Sequence, residues 1–270
     1  MSPQVALEQL CLEPLAVLDV PAEETVDIAA AAGFRRMSLW VNSPTSKFIA
    51  PCRVEPDRKA ALARRLHDAG MAVQNLEVFR VGPGTDVSRY EAPLGLGAEL
   101  GAATATAIAM DGSDETAVSL ARLTELARGL GIRVNVEFLS YRGPSNLDEV
   151  AALVGKAGDA GTGILVDILH LVRSGGTVDQ VRSLDPDLIG HVQLCDGPRE
   201  TPAEGLEHES ASNRMLPGAG QFPLREFIAA LPQVALGLEI PRMSDAFRGL
   251  TPRERAVELM KATAAFFRAV

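Results

Sequence analysis

Four polar residues stand at corresponding places in four successive aliphatic runs: Glu137 in VNVEF, Asp167 in ILVDILH, Gln193 in GHVQLCD and Glu239 in LGLEIP. An apolar core does not select such groups, because an ionised carboxylate removed from water needs a partner. Three carboxylates converging without a counter-charge repel one another, and the ways out are proton uptake or a bound cation. A cation is the simpler account. Ligation by Glu, Asp, Glu and an amide oxygen suits Mn²⁺ or Mg²⁺, with Co²⁺ or Zn²⁺ as alternatives, over a thiolate-preferring ion. Taken singly, each of the four reads as readily as a helix cap or a salt-bridge partner; their recurrence on consecutive runs favours a shared ion. His170 follows Asp167 by three residues, and His191 precedes Gln193 by two, on the same strand face. Both are expected to contact substrate or to orient ligands. His67, in a charged helix, and His208, in a polar stretch, read as surface residues.

The elements that must carry these residues alternate between short aliphatic runs and amphipathic segments, repeating roughly every 30 residues, the mark of a parallel sheet with helical crossovers. Strands are predicted over 4–10, 36–41, 72–78, 104–110, 132–138, 164–168, 189–194 and 235–240. Helices are predicted over 56–69, 114–130 and 147–160, among others, with Gly70, Gly131 and Gly161 as stop signals. Eight such units predict an α/β fold of the (β/α)8 barrel type, one domain over residues 1–270, with its chemistry where the strands finish. An open dinucleotide-binding sheet is disfavoured, because no glycine-rich loop follows the first strand. The stretch 195–221 is longer than ordinary connections and reads as a functional loop.

Composition narrows the partners. The net charge of −9 opposes capture of a phosphate backbone, so nucleic acid is not expected. Cys11, Cys52 and Cys195 lack the paired spacing of a zinc module or redox motif and read as reduced thiols. The N-terminus has no signal-peptide pattern, and no run is apolar for the roughly 18 residues a membrane span needs. A cytoplasmic protein acting on a small molecule, with a homodimer allowed for, is the expectation.

The motifs from about residue 132 onward resemble those of the xylose isomerase-like barrel superfamily of sugar isomerases and epimerases, and the resemblance extends over most of the chain. That pattern has a Glu ending the fifth strand, Asp-x-x-His at the sixth, His-x-His or His-x-Gln at the seventh, then Pro-Gly-x-Gly, and a Glu ending the eighth. Here these are Glu137, Asp167-Ile-Leu-His170, His191-Val-Gln193, Pro217-Gly218-Ala219-Gly220 and Glu239. Ala219 stands where the turn usually carries Glu, which removes whatever that carboxylate does. Arg199, six residues after Gln193, falls where the epimerases place a substrate-contacting arginine. Trp40 and Glu77, ending the second and third strands, are candidates to line the pocket, or packing and surface residues.

The resemblance implies a metal held by Glu137, Asp167, Gln193 and Glu239, chelating a carbonyl and an adjacent hydroxyl and stabilising an enediolate. Glu137 and Glu239 would be the proton donor and acceptor, with His170, His191, Arg199, Trp40 and Glu77 around the substrate. Isomerisation and epimerisation are both open. A dehydratase of the same superfamily is the nearest rival, with His170 as the acid for a departing hydroxyl. The zinc endonuclease branch needs more histidines than the four present. A non-catalytic sugar-binding barrel is the third alternative. Arg214 and Arg242, in the mouth loops with Arg199, could serve a phosphate or carboxylate, or be merely solvated.

Overall fold

Eight strands hydrogen-bond in parallel in sequence order, and the last closes on the first. They are β1 Leu10–Leu12, β2 Arg36–Trp40, β3 Ala72–Val81, β4 Thr104–Ala109, β5 Arg133–Glu137, β6 Thr162–Asp167, β7 Ile189–Leu194 and β8 Leu236–Leu238. The computed structural model describes residues 7–42, 51–158 and 161–269. Helices lie in the connections, among them Ala22–Ala32, Lys59–Asp68, Asp114–Arg128, Leu147–Ala157 and Pro252–Arg268. The expected (β/α)8 barrel is therefore the observed architecture. No helix among the described residues is long and apolar enough to cross a membrane.

Local chemistry explains where the elements begin. Ser113, Asn146 and Thr251 each accept a backbone N–H in the first turn of the helix that follows, and Glu254 completes a reciprocal cap with Thr251. Strand side chains alternate between the helix layer and the barrel interior. In β5, Val134 and Val136 join the main apolar core, while Asn135 and Glu137 belong to the buried polar set.

Several boundaries differ from the sequence expectation. The first strand is Leu10–Leu12 and not 4–10: residues 7–9 form a helical turn, and residues 4–6 lie outside the described residues. β3 runs on to Val81, and β8 is cut to three residues. The helix predicted over 147–160 stops at Ala157, where Gly158 takes the left-handed conformation (φ 67°) expected of Gly161; residues 159–160 lie outside the described residues. Within 195–221 there is regular structure, a 3-10 turn Ala203–Gly205 and a helix Leu206–Ser212.

Candidate functional site

Alternation along each strand stacks the interior into layers. Cys11, Ser38, Asn75, Thr106 and His191 occupy a lower layer held by polar contacts: Cys11 Sγ lies 3.3 Å from Ser38 Oγ, and Asn75 donates to Thr106 Oγ1 at 2.8 Å. Two residues further along each strand, at the C-terminal ends, come Glu13, Trp40, Glu77, Glu137, Asp167, Gln193 and Glu239. All seven are buried. The three proposed carboxylate ligands and Gln193 are thus on one level, joined by Glu13 and Glu77.

One guanidinium ties part of this floor together. Arg214, fully buried, donates to Asp167 Oδ2 at 2.6 Å and lies 2.8 Å from Glu239 Oε2, while its Nε donates to the Ser210 carbonyl at 2.9 Å. Gln193 Nε2 donates to Glu239 Oε1 at 3.1 Å and to Glu77 Oε1 at 3.3 Å. That leaves Gln193 Oε1 buried with no hydrogen-bond partner. Asp167 Oδ1 accepts the Leu169 N–H at 2.8 Å, so the same residue caps the helix that carries His170. One donor atom each of Glu137, Asp167 and His170 lie within 4.8 Å of one another, which adds His170 to the candidates for a shared ion.

The electrostatics follow from burial. Loss of water, then Glu239 and Asp167, push Glu137 well above the usual carboxylate range. Burial, then Glu239, does the same to Glu77. Glu239 is pushed up to about 8 by burial, against the pull of Arg214. His170 is pulled down to about 4 by burial. Its Nδ1 faces the Ser140 N–H at 3.3 Å. A backbone N–H can only donate, so the neutral ring carries its proton on Nε2, on the side of Ser210 Oγ (3.4 Å) and Glu137 Oε1 (3.8 Å).

His191 and Glu13 form a separate pair in the floor. His191 Nε2 lies 2.9 Å from Glu13 Oε1, and neither side chain is exposed. Gln193 and the rest of the upper layer separate His191 from the mouth, so its expected contact with substrate is not what the structure places there. Arg199 is exposed, its N–H bonded to Gln221 Oε1 at 3.0 Å and its carbonyl accepting from Arg173 at 3.2 Å, and it does not line the mouth. The arginine that the loop brings inward is Arg214. Arg242 pairs with Asp245 and Glu258.

Asp196, just beyond β7, fixes the turn that follows. Its carboxylate accepts the N–H groups of Gly197, Gly218 and Gly220 at 2.9 Å and of Phe222 at 3.0 Å. A side chain at Gly220 would meet Asp196 Oδ1 at 2.3 Å, so glycine is required there. Asp196 also bridges to Met215, next to Arg214.

Above the floor is a cavity of ≈ 340 Å³ whose walls include Trp40, Glu77, Glu137, His170, Arg214 and Glu239. Trp40 Nε1 donates to the Asn42 carbonyl at 2.7 Å, which leaves the ring as wall. A larger open cleft of ≈ 720 Å³ lies outside the barrel along Asp114–Arg128 and contains none of the strand-end groups. Glu13, Ser210 and Tyr141 were not anticipated by sequence reasoning. Glu13 carried the same signal as the others, an aliphatic run closed by a carboxylate (LCLE), hidden by the misplaced first strand.

Comparison with known proteins places the chain by family and fold. The family model for the xylose isomerase-like TIM barrel matches residues 26–269. A 3-dehydroshikimate dehydratase of Pseudomonas aeruginosa is 28% identical over 254 residues, 87% of this chain and 38% of that protein, so the chain spans about two fifths of its length. A protein assigned as a hydroxypyruvate isomerase in Streptomyces coelicolor is 27% identical over 263 residues, 82% of this chain and 86% of that one. Among solved structures, an IolI protein with a bound zinc atom superposes with a TM-score of 0.78 at 14% identity, covering 96% of this chain and 98% of that one. At that identity the likeness shows the fold. The closed eight-strand barrel and the family match over residues 26–269 lead to one conclusion: the chain belongs to the xylose isomerase-like TIM barrel family.

Proposed function

We propose that the mouth of the barrel holds one divalent cation and that the chain moves a proton at a carbon beside a carbonyl group, isomerising or epimerising a small sugar, ketose or related hydroxy-carbonyl compound. The observation that carries this reading is the charge balance of the floor. Glu13, Glu77, Glu137, Asp167 and Glu239 are buried together, the guanidinium bonded among them is Arg214, and the amide oxygen of Gln193 is left without a donor. Surplus buried carboxylates and an unpaired acceptor fit a hard cation.

Glu137, Asp167, Gln193 and Glu239 would hold the ion. Mn²⁺ or Mg²⁺ suits oxygen ligands of this kind, and zinc in the superposed IolI protein keeps Zn²⁺ in view. When bound, the ion supplies a Lewis acid that acidifies the C–H beside the carbonyl. Glu137 and Glu239 stand at the ends of β5 and β8, so they reach a substrate from different sides. One takes the proton from carbon, and the other returns one to the opposite face or to the neighbouring carbon. His170, neutral with its hydrogen on Nε2, donates a hydrogen bond to a substrate oxygen and is not the proton source. Trp40, Ile108 and Leu139 in the cavity wall keep water back and strengthen each of these interactions.

A dehydration is the second reading, favoured by the 28% identity to a dehydratase. The carbon proton leaves to a carboxylate, the β-hydroxyl departs with a proton as water, and a double bond conjugated to the carbonyl remains. His170, pulled down by burial and neutral, would give the departing hydroxyl a hydrogen bond from Nε2, and the proton would come from whichever of Glu137 and Glu239 did not take the carbon proton.

Turnover of the Mn²⁺-loaded protein in D₂O, with ketoses, ketose phosphates and short 2-oxo compounds, tests both readings. Deuterium beside the carbonyl without loss of water supports the isomerase or epimerase; an ultraviolet-absorbing unsaturated product supports the dehydratase. Glu137→Gln and Glu239→Gln should each fold and lower the rate by ~10²–10⁴-fold. Exchange that survives in both would remove the two carboxylates from the proton path.

A further inference from the structure

The floor of the cavity is acidic, yet its rim is not. Arg80, at the end of β3, and Arg142, in the turn after β5, both line the cavity above the carboxylates. Arg80 Nε is buried without a hydrogen-bond partner, and no carboxylate among the described residues forms an ion pair with this side chain. Its backbone is fixed, because the Tyr90 hydroxyl donates to the Arg80 carbonyl at 2.6 Å. Arg142 stacks over the Tyr141 ring at 5.2 Å and pairs with Glu207. The turn that carries it is constrained by Gly143, at φ 64°, where a side chain would meet the Ala109 carbonyl oxygen at 2.4 Å. Burial and then the neighbouring Arg142 draw Arg80 below the usual arginine range.

We infer that Arg80 and Arg142 form an anion subsite and that the substrate is a hydroxy- or oxo-acid whose carboxylate lies at the rim while its carbonyl end faces the floor. This rests on the proton-transfer reading of the floor, and it narrows the substrate class from neutral sugars to acids. A chain of net charge −9 gives no general attraction to anions, so the rim pair is a local device. Glu207 already offsets one of the two cations, which leaves about one positive charge for the ligand. One charge matches a carboxylate better than a phosphate dianion, and a planar guanidinium meets a carboxylate through two parallel hydrogen bonds.

Calorimetric titration of the Mn²⁺-loaded protein at pH 7.5 tests this with hydroxypyruvate and 3-dehydroshikimate, each beside its methyl ester, and with dihydroxyacetone phosphate. At least one acid should bind at least ~10-fold more tightly than its ester and than the phosphate. Arg80→Gln and Arg142→Gln should each weaken that acid by ~10–100-fold and erase its advantage over the ester, with Mn²⁺ affinity unchanged. Equal binding of acids and esters, absence of binding by either acid, tighter binding of the phosphate, or an advantage that survives in both variants would overturn the subsite. Mn²⁺ affinity is read in the same samples. Protein that binds the acid through Arg80 but takes up no metal would keep this inference and refute the proposed function.

Discussion

Replacing Arg214 by Met removes the cation bonded within the floor while nearly preserving its volume. The guanidinium holds Asp167 at 2.6 Å and Glu239 at 2.8 Å in a site with 1% side-chain exposure. Removing one partner of a buried ion pair costs about 3–5 kcal/mol, because the other charge is left uncompensated. The loss falls at the lower end, near ~3 kcal/mol, since Glu239 already sits near 8 and takes up a proton instead of standing bare at pH 7. Metal binding should move the other way. With the competing positive charge gone, Mn²⁺ affinity rises by ~10-fold or more, equivalent to about 1.4 kcal/mol. Saturating Mn²⁺ at 100 times its Kd then restores about 2.7 kcal/mol, most of what was lost. Urea unfolding at pH 7 with chelator and with Mn²⁺, joined to calorimetric titration, measures both quantities. A loss below about 1 kcal/mol without metal would show that the Arg214 pairs contribute little. Weaker Mn²⁺ binding in Arg214→Met would show that the guanidinium orients the ligands and does not compete with the ion.

Two further outcomes follow from the same charges. Glu77, Glu137 and Glu239 all hold protons above the usual carboxylate range, so Mn²⁺ uptake at pH 7 should release about one proton or more, seen as a titration enthalpy that changes with the buffer; a buffer-independent enthalpy would refute the raised pKa values. For Glu239 the sign is that of a group that binds a proton on folding: its contribution is full below about 4.5 and lost as pH rises through about 8, so chelated protein should lose stability across that window and metal-loaded protein should not. Gln193→His should keep metal binding, whereas Gln193→Leu should weaken it by ~10-fold or more; unchanged affinity in the leucine variant would exclude the orphaned amide oxygen as a ligand.

β5, β6 and β7 were legible because they are long enough to show both periodicity and a polar residue at or near the end. β6 and β7 each contribute six buried or nearly buried residues before the loop, and Asp167 and Gln193 are the last or next to last of them. β1 has three residues, too few for alternation to fix a register, and the more strand-like QVALEQL drew the prediction upstream and hid Glu13. Arg214 could be named as a mouth-loop arginine, but its turn inward depends on the Asp196 clasp, a contact across 18 residues of chain that leaves no local mark. Arg199 sits closer in sequence to Gln193 and drew the resemblance-based role, yet the loop leaves it outside. Arg80 went unnoticed because β3 was ended at 78, two residues short of it.

The Asp196 clasp has a meaning for how such a barrel diversifies. One carboxylate gathers both ends of the excursion that begins at Gly197 and returns through Gly218, Gly220 and Phe222. The intervening segment is therefore a cassette hung from a fixed clip: it delivers Arg214 to the floor, while its outer positions can change as the clip holds the frame of the mouth. Glu207, which neutralises Arg142, rides on that cassette, whereas Glu137 and Glu239 belong to the barrel wall. Mutation at Glu207 can thus retune the charge presented at the rim while Arg214, on the same segment, keeps its pairs with Asp167 and Glu239, so the rim and the floor can change separately.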